Sequence, residues 1–247
     1  MTTNFHLFGT AHLFILAAVV LLAAILAVVH RRLAPGSKLP RLAFAAVLVL
    51  DSAIYYGYLA YHGNLTFPNH IPLELCDVSL YLVIFALFTL NKAVFDRAYY
   101  WALAGATMAL LTPNLLEPWP SFGAIQFFVQ HGLIVAGVLY LVWSGQMRPR
   151  PGSVLRAMLS LNIVAVFIGA FDYFLQTNYM FLRAKPVKAS LLDLLGPWPW
   201  YLLATEGVAL TLFLLLYLPF VRTSPVAVSN PVSFPAIPRP ESEPEMD

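Results

Sequence analysis

Charge is what this chain has least of. Only 11% of its 247 residues are Asp, Glu, Lys or Arg, against 60% hydrophobic, and the mean hydropathy is +0.75. Soluble domains carry about 25% charged residues, so the composition excludes a soluble globular protein and implies a polytopic membrane protein. Cysteine is nearly absent as well. The single Cys76 excludes an internal disulfide framework and a multi-cysteine metal site. There is no glycine-rich phosphate loop and no H-E-x-x-H, so neither metal nor cofactor is expected. The small net charge of +2 is scattered over loops, which gives no basis for a nucleic-acid partner. No internal repeat is evident.

What is present is apolar and long. A membrane-spanning helix needs about 20 apolar residues, and seven runs come near that length: about 11–29, 42–61, 72–91, 98–113, 122–143, 154–175 and 200–220. Pro and Gly mark the joints between them, at Pro35-Gly36, Pro113, Pro118-Trp119-Pro120, Pro149 to Gly152 and Gly196-Pro197. The expected fold is all-α, a seven-transmembrane-helix bundle over 1–222. A Pro- and Glu-rich tail over 223–247 is read as disordered, because it has too little apolar content to bury.

Direction follows from the loops. Residues 1–11 hold no Lys or Arg, and His30-Arg31-Arg32 follows the first run. A cleaved signal peptide has the opposite polarity, so the first run is read as a helix with its N-terminus outside. The remaining loops agree by the positive-inside rule. Arg31, Arg32, Lys38, Arg41, Lys92, Arg97, Arg148, Arg150, Arg156 and Arg222 then lie inside, together with the C-terminus. Arg183, Lys185 and Lys188 are left outside, all in the last outer loop.

Polar residues inside the runs can be placed by depth at about 1.5 Å per residue. Cys76 lies about 6 Å in from the outer end of the third run, flanked by Glu74 and Asp77. His131 lies about 13 Å deep below Gln126 and Gln130, and Glu206 about 10 Å deep. Asp172 is shallow. Asp51, Tyr55, Tyr58 and His62 share one helical face, and Asn162, Gly169, Asp172 and Gln176 form another stripe. An acid at the bilayer centre costs about 2.5 to 3.5 kcal/mol, so acids on several helices are expected to face one another across a polar cavity in the outer half. The competing reading of each acid alone is interhelical hydrogen bonding, and that of a lone Cys is packing. Trp119, Trp198, Trp200 and Tyr201 fit an interfacial belt.

Four stretches carry a family resemblance: IPLELC (71–76), FFVQHG (127–132), TNYMFLRAKP (177–186) and SLLDLLGPWPWY (190–201). Over about residues 5–220 the chain resembles the bacterial YwaF-like integral membrane proteins, a family related to the animal transmembrane protein 164. The resemblance implies a seven-helix bundle in the bacterial cytoplasmic membrane. From the animal relatives it implies an acyltransferase acting on ether phospholipids, with a cysteine nucleophile at Cys76 and a histidine partner at His131. A more distant resemblance is to androgen-induced membrane hydrolases of fatty-acid esters.

A thiol that attacks an ester needs a base, a group orienting that base, and donors for the oxyanion. Cys76 and His131 supply the expected pair. Asp172, Asp51 or Glu206 is open as orienting group, with Asp172 ranked first. Asn178, Gln130 or Asn114 is open as donor. Arg183, Lys185 and Lys188 are read as meeting a phospholipid phosphate. The depth estimates separate Cys76 and His131 by about 7 Å along the membrane normal. The alternative reading is a receptor or transporter whose ligand occupies the same cavity without need of Cys76.

Overall fold

A computed structural model of the chain describes residues 5–115, 117–186 and 190–221, and the expected tail lies outside them. Among the described residues the structure is all-helical. The helices are α1 (Thr10–Val28, prolonged by a π-helical turn Val29–Leu33), α2 (Leu39–Tyr61), α3 (Leu75–Thr89), α4 (Lys92–Trp101), α5 (Thr107–Leu111), α6 (Phe122–Trp143), α7 (Ser153–Leu175) and α8 (Trp200–Val221). Five of them, α1, α2, α6, α7 and α8, are long and apolar enough to cross a membrane.

Two expected spans differ. The run at 72–91 forms only the 15 residues of α3, because Leu90 adopts a left-handed conformation and Asn91 caps the next helix, its Oδ1 accepting from the N–H of Ala93 and Val94. The run at 98–113 starts six residues earlier, at Lys92, and is broken: α4 passes through a π-helical turn, Ala102–Ala106, before α5. The charges Lys92, Asp96 and Arg97 made that first part look like loop. Asp96 is in fact wholly buried. Its carboxylate accepts from Arg150 Nη2 at 2.7 Å and Arg156 Nη2 at 3.1 Å, and also from the Arg150 backbone N–H at 3.1 Å.

Side-chain pairs fix the order of packing. Helix α6 is central, 67% buried over its most apolar window against 11% for α8. It runs parallel to α3, since Gln130 meets Asp77 and Gly137 meets Val83. It runs antiparallel to α2, since Phe122 stacks on Tyr58 at 3.9 Å and Gly137 meets Phe44. These contacts are close because Gly137 has no Cβ; one built there would lie 2.9 Å from both Phe44 and Val83. Helices α4, α7 and α8 meet at their own end, through Tyr100 on Ser153, Trp101 on the Ala157 carbonyl and Tyr99 on the Leu216 carbonyl.

The bundle therefore has two polar ends. One gathers His30, Arg41, Asp96, Arg150 and Arg156. There Arg41 of α2, 6% exposed, donates to the Leu87 and Phe88 carbonyls at the C-terminus of α3. The other end gathers part of the set expected to form the site: Glu74, Cys76, Asp77, Gln130, His131 and Asp172.

Candidate functional site

The site is built where α3 begins. Glu74 is its N-cap residue, in extended backbone, and Cys76 and Asp77 follow in the first turn. The Cys76 thiol is half-buried and packs against the core. Asp77 is the strut to the central helix: its Oδ1 accepts from Gln130 Nε2 at 3.3 Å, and Gln130 Oε1 accepts from Gln126 Nε2 at 3.2 Å. Gln126, Gln130 and His131 are all less than 9% exposed, so this polar ladder lies inside the bundle. The bridge puts residues 77 and 130 at one level. Cys76 and His131 each lie one position from it, about 1.5 Å of rise, and the 7 Å offset expected from depth is thereby reduced.

One position along a helix also turns a side chain by about 100°. His131 uses that turn to lie against Phe127, with ring centroids 4.3 Å apart and planes tilted by 35°. Its Nδ1 lies 2.7 Å from the Phe127 carbonyl oxygen. A carbonyl only accepts, so Nδ1 carries the proton and, in the neutral ring, Nε2 is the free base. Among the described residues, no hydrogen bond joins Cys76 to His131.

Above this lies a second layer, the loop after α7. Asp172 is completely buried. Its Oδ1 accepts from Thr177 Oγ1 at 2.6 Å and from the Tyr179 backbone N–H at 2.9 Å, and its Oδ2 has no partner. Glu74 Oε2 accepts from the Met180 N–H at 2.9 Å, which ties the start of α3 to the same loop. The Tyr179 hydroxyl donates to the Pro68 carbonyl at 2.7 Å and accepts from the Ile71 N–H at 3.0 Å. Asn69, Glu74, Thr177, Asn178 and Tyr179 line an open cleft of about 130 Å³.

The expected site residues thus fall into groups. Glu74, Cys76, Asp77, Gln130 and His131 are gathered at the α3–α6 contact, and Asp172 is joined to them through the loop. Asp172 holds that loop and, among the described residues, makes no hydrogen bond with His131; the group that orients His131 is the Phe127 carbonyl. Asn178, expected as an oxyanion donor, instead closes its own loop: its Oδ1 accepts from the Arg183 and Ala184 N–H groups and its Nδ2 donates to the Ala184 carbonyl. Arg183 reaches the carbonyls of Asp172 and Thr177 and Gln176 Oε1, and so caps the end of α7. Lys185 pairs with Asp193 at 3.7 Å. Lys188 lies outside the described residues. Asp51 stands apart on α2 with a buried, unpartnered Oδ2. Glu206 bonds Asn162 on the exposed faces of α7 and α8.

Tyr179 was not among the expected residues, although it sits within TNYMFLRAKP. Its hydroxyl bonds Pro68 and Ile71 and its N–H bonds Asp172, and the N–H of the next residue, Met180, bonds Glu74, so the Tyr179–Met180 pair links loop 62–74, α3 and α7. Among the described residues, no cluster of His, Cys, Asp and Glu has the geometry of a metal site.

A family model described as the TMEM164 family matches residues 7–217 of the chain. No curated protein and no solved structure matches it.

Proposed function

The chain belongs to the TMEM164 family, and from that premise and the arrangement at the head of α3 we propose that it is a lipid-directed acyltransferase or ester hydrolase whose nucleophile is Cys76 and whose base is His131. The observation that carries this reading is the His131 ring. Its Nδ1–H is committed to the Phe127 carbonyl, which leaves Nε2 as a lone pair on the buried helix that Asp77 and Gln130 fasten to α3. A proton acceptor held in one tautomer, on the helix that is fastened to the turn carrying the single thiol, is the base that a Cys–His pair would draw on.

The step runs as follows. The Cys76 Sγ–H gives its proton to His131 Nε2 as Sγ bonds to the carbonyl carbon of a phospholipid ester. The tetrahedral adduct collapses with rupture of the ester C–O bond, and the departing alkoxide takes the proton from His131. The Cys76 thioester is then attacked by a second lipid's hydroxyl, in transfer, or by water, in hydrolysis. His131 accepts the attacking group's proton and returns it to the departing thiolate. Closing the Cys76–His131 distance calls for a side-chain rotation that a bound acyl chain would favour. Asp172, Asn178 and Arg183 keep a supporting part: they shape the loop over the entrance, where Glu74 and Tyr179 line the cleft. Lys185 and Lys188 are assigned to the headgroup side. Seven membrane passages, with α3 and the α4–α5 rod as the two short ones, an outer-facing entrance and a bacterial cytoplasmic membrane complete the reading, carried by loop charges and the family resemblance.

One observation favours a second reading, a receptor or transporter that binds its ligand in the cleft without chemistry: Cys76 and His131 are not hydrogen-bonded. A lipid-like activated ester separates the two. The catalytic reading expects a hydroxylamine-sensitive acyl adduct on Cys76, detected by mass spectrometry. That adduct is lost in Cys76→Ser and slowed about 10² to 10⁴-fold in His131→Ala, the usual weight of a general base. Equal rates of labelling in wild type and His131→Ala would remove the pair. No labelling in either, with the ester still bound, would establish the second reading.

A further inference from the structure

The end of the bundle opposite Cys76 holds more positive charge than it pairs. Arg150 and Arg156 share one carboxylate, Asp96, and Arg97, the next residue along α4, has no acid partner among the described residues. A guanidinium is always charged, so three of them against one carboxylate leave two positive charges. Neutral groups hold Arg97 in place. Its Nε donates to Ser160 Oγ on α7 at 2.7 Å and its Nη1 to the Ala93 carbonyl at 2.6 Å. Ser160 Oγ in turn donates to the Arg156 carbonyl at 2.8 Å. Arg156 Nη2 donates to Asp96 and to the Pro151 carbonyl, and its Nε is buried without a partner. Each guanidinium carries five N–H donors, and among the described residues Arg97 and Arg156 each use two. The two cations thus flank the seam between α4 and α7, fixed in position and short of acceptors. Helix α7 buries only 17% of its most apolar window, so the seam borders the surface that lipid covers. With 23 residues α7 is about 34 Å long, slightly more than a hydrocarbon layer of about 30 Å. Arg156, three residues into it, stands near the headgroup level, and the long stem of Arg97 lets its charge reach the same level.

We propose that the α4–α7 seam is a binding site for the phosphate of a negatively charged phospholipid, held by Arg97 and Arg156. A phosphodiester offers only acceptors and one negative charge, which are what these two side chains lack, and the planar guanidinium fork matches its oxygens two at a time. A zwitterionic lipid brings the same phosphate with a cation of its own, and the surplus charge at the seam disfavours it. The rival occupant is a carboxylate from residues 241–247, which hold Glu241, Glu243, Glu245 and Asp247. Such a carboxylate would have to come to a seam that faces lipid, whereas a lipid phosphate already stands at that level. The site is independent of the chemistry proposed for Cys76.

The test titrates the full chain, in nonionic detergent micelles, with phosphatidylglycerol or phosphatidylcholine and counts bound lipid by native mass spectrometry. One phosphatidylglycerol should bind about tenfold or more tightly than phosphatidylcholine, and Arg97→Gln should remove that advantage, the weight of a charge-assisted hydrogen bond. Arg97→Lys keeps the charge without the fork and should retain part of it. Lys92→Gln, at the exposed first residue of the same helix, should change nothing. Arg97 takes no part in the Asp96 ion pairs, so its loss leaves that cluster intact. If Arg97→Gln nonetheless fails to fold, Ser160→Ala, which releases Arg97 Nε, should weaken phosphatidylglycerol binding in the same direction. Displacement of phosphatidylglycerol by millimolar inorganic phosphate would support the phosphate site and assign it to free phosphate as well as lipid; no displacement assigns it to the lipid. Equal affinity for the two lipids would overturn the proposal, as would an equal loss in Lys92→Gln and Arg97→Gln. A tenfold gain in affinity on removal of residues 223–247 would give the seam to the tail and overturn it too.

Discussion

Replacing Asp172 by Ala removes the acceptor from two donors at once, and the structure says what that should cost. Thr177 Oγ1 and the Tyr179 N–H both donate to Oδ1, and both residues are less than 8% exposed. An unsatisfied buried donor costs about 1 to 3 kcal/mol, so the pair costs about 2 to 6. Relief of the unpartnered Oδ2, itself buried without a bond, offsets about 1 kcal/mol of that. The net expectation is about 1 to 5 kcal/mol, concentrated in the loop after α7. Asp172→Asn retains an acceptor at Oδ1 and should cost about 1 kcal/mol or less. Hydrogen exchange read by mass spectrometry on peptides covering 176–182 is the assay, with denaturation in mixed micelles for the whole bundle. Protection should fall sharply in Asp172→Ala and stay near wild type in Asp172→Asn. Wild-type protection in the Ala variant would refute the reasoning, as would equal loss in both. The Asn variant also addresses the chemistry. An acid that oriented His131 would be disabled by it, and Cys76 labelling would collapse; a loop anchor predicts that labelling persists.

Two further outcomes follow from packing. Asp96→Ala removes a wholly buried carboxylate from Arg150 and Arg156, whose side chains are 38% and 40% exposed and regain water, and leaves the Arg150 backbone N–H without its acceptor; it should destabilise by about 1 to 3 kcal/mol, measured by denaturant titration in micelles, and an unchanged stability would show that the cluster holds nothing together. Gly137→Ala puts a methyl 2.9 Å from Phe44 and Val83, both buried, and should cost about 1 to 3 kcal/mol by overpacking, with Val83→Ala in the same chain restoring part of it; no rescue would mean that the helices do not meet there.

How far the sequence leads depends on what hydropathy encodes. The five long helices coincide with apolar runs to within three residues at nearly every end, since length and polarity alone decide them. The gathering of Glu74, Cys76, Asp77, Gln130 and His131 was also legible, because each costs free energy in lipid unless it meets another. Rotation about the helix axis was not. It decides that His131 turns to Phe127, and no run of apolar residues records it. Nor could sequence show that Asn178 and Arg183 bond backbone carbonyls and amides close by, a use that leaves no mark in residue type. Asp96 misled for a related reason: a charge reads as loop until its two guanidinium partners, more than fifty residues on, are placed beside it.

Arg41 bears on how the chain enters the bilayer. Helix α3, with 15 residues, is about 22 Å long and stops short of a hydrocarbon layer of about 30 Å. Its final carbonyls would be stranded in lipid, where each unsatisfied backbone group costs several kcal/mol. The guanidinium of Arg41 supplies two of the missing donors from the start of α2. Until α2 lies alongside, α3 has nothing to replace water at that end, and it is a poor candidate for insertion by itself. Synthesis presents α2 first, so the donor is waiting when α3 emerges. On the seven-passage reading proposed above, in which α3 is one of the two short passages, the pair would act as one insertion unit, a helical hairpin whose shorter arm enters lipid only in the company of the longer.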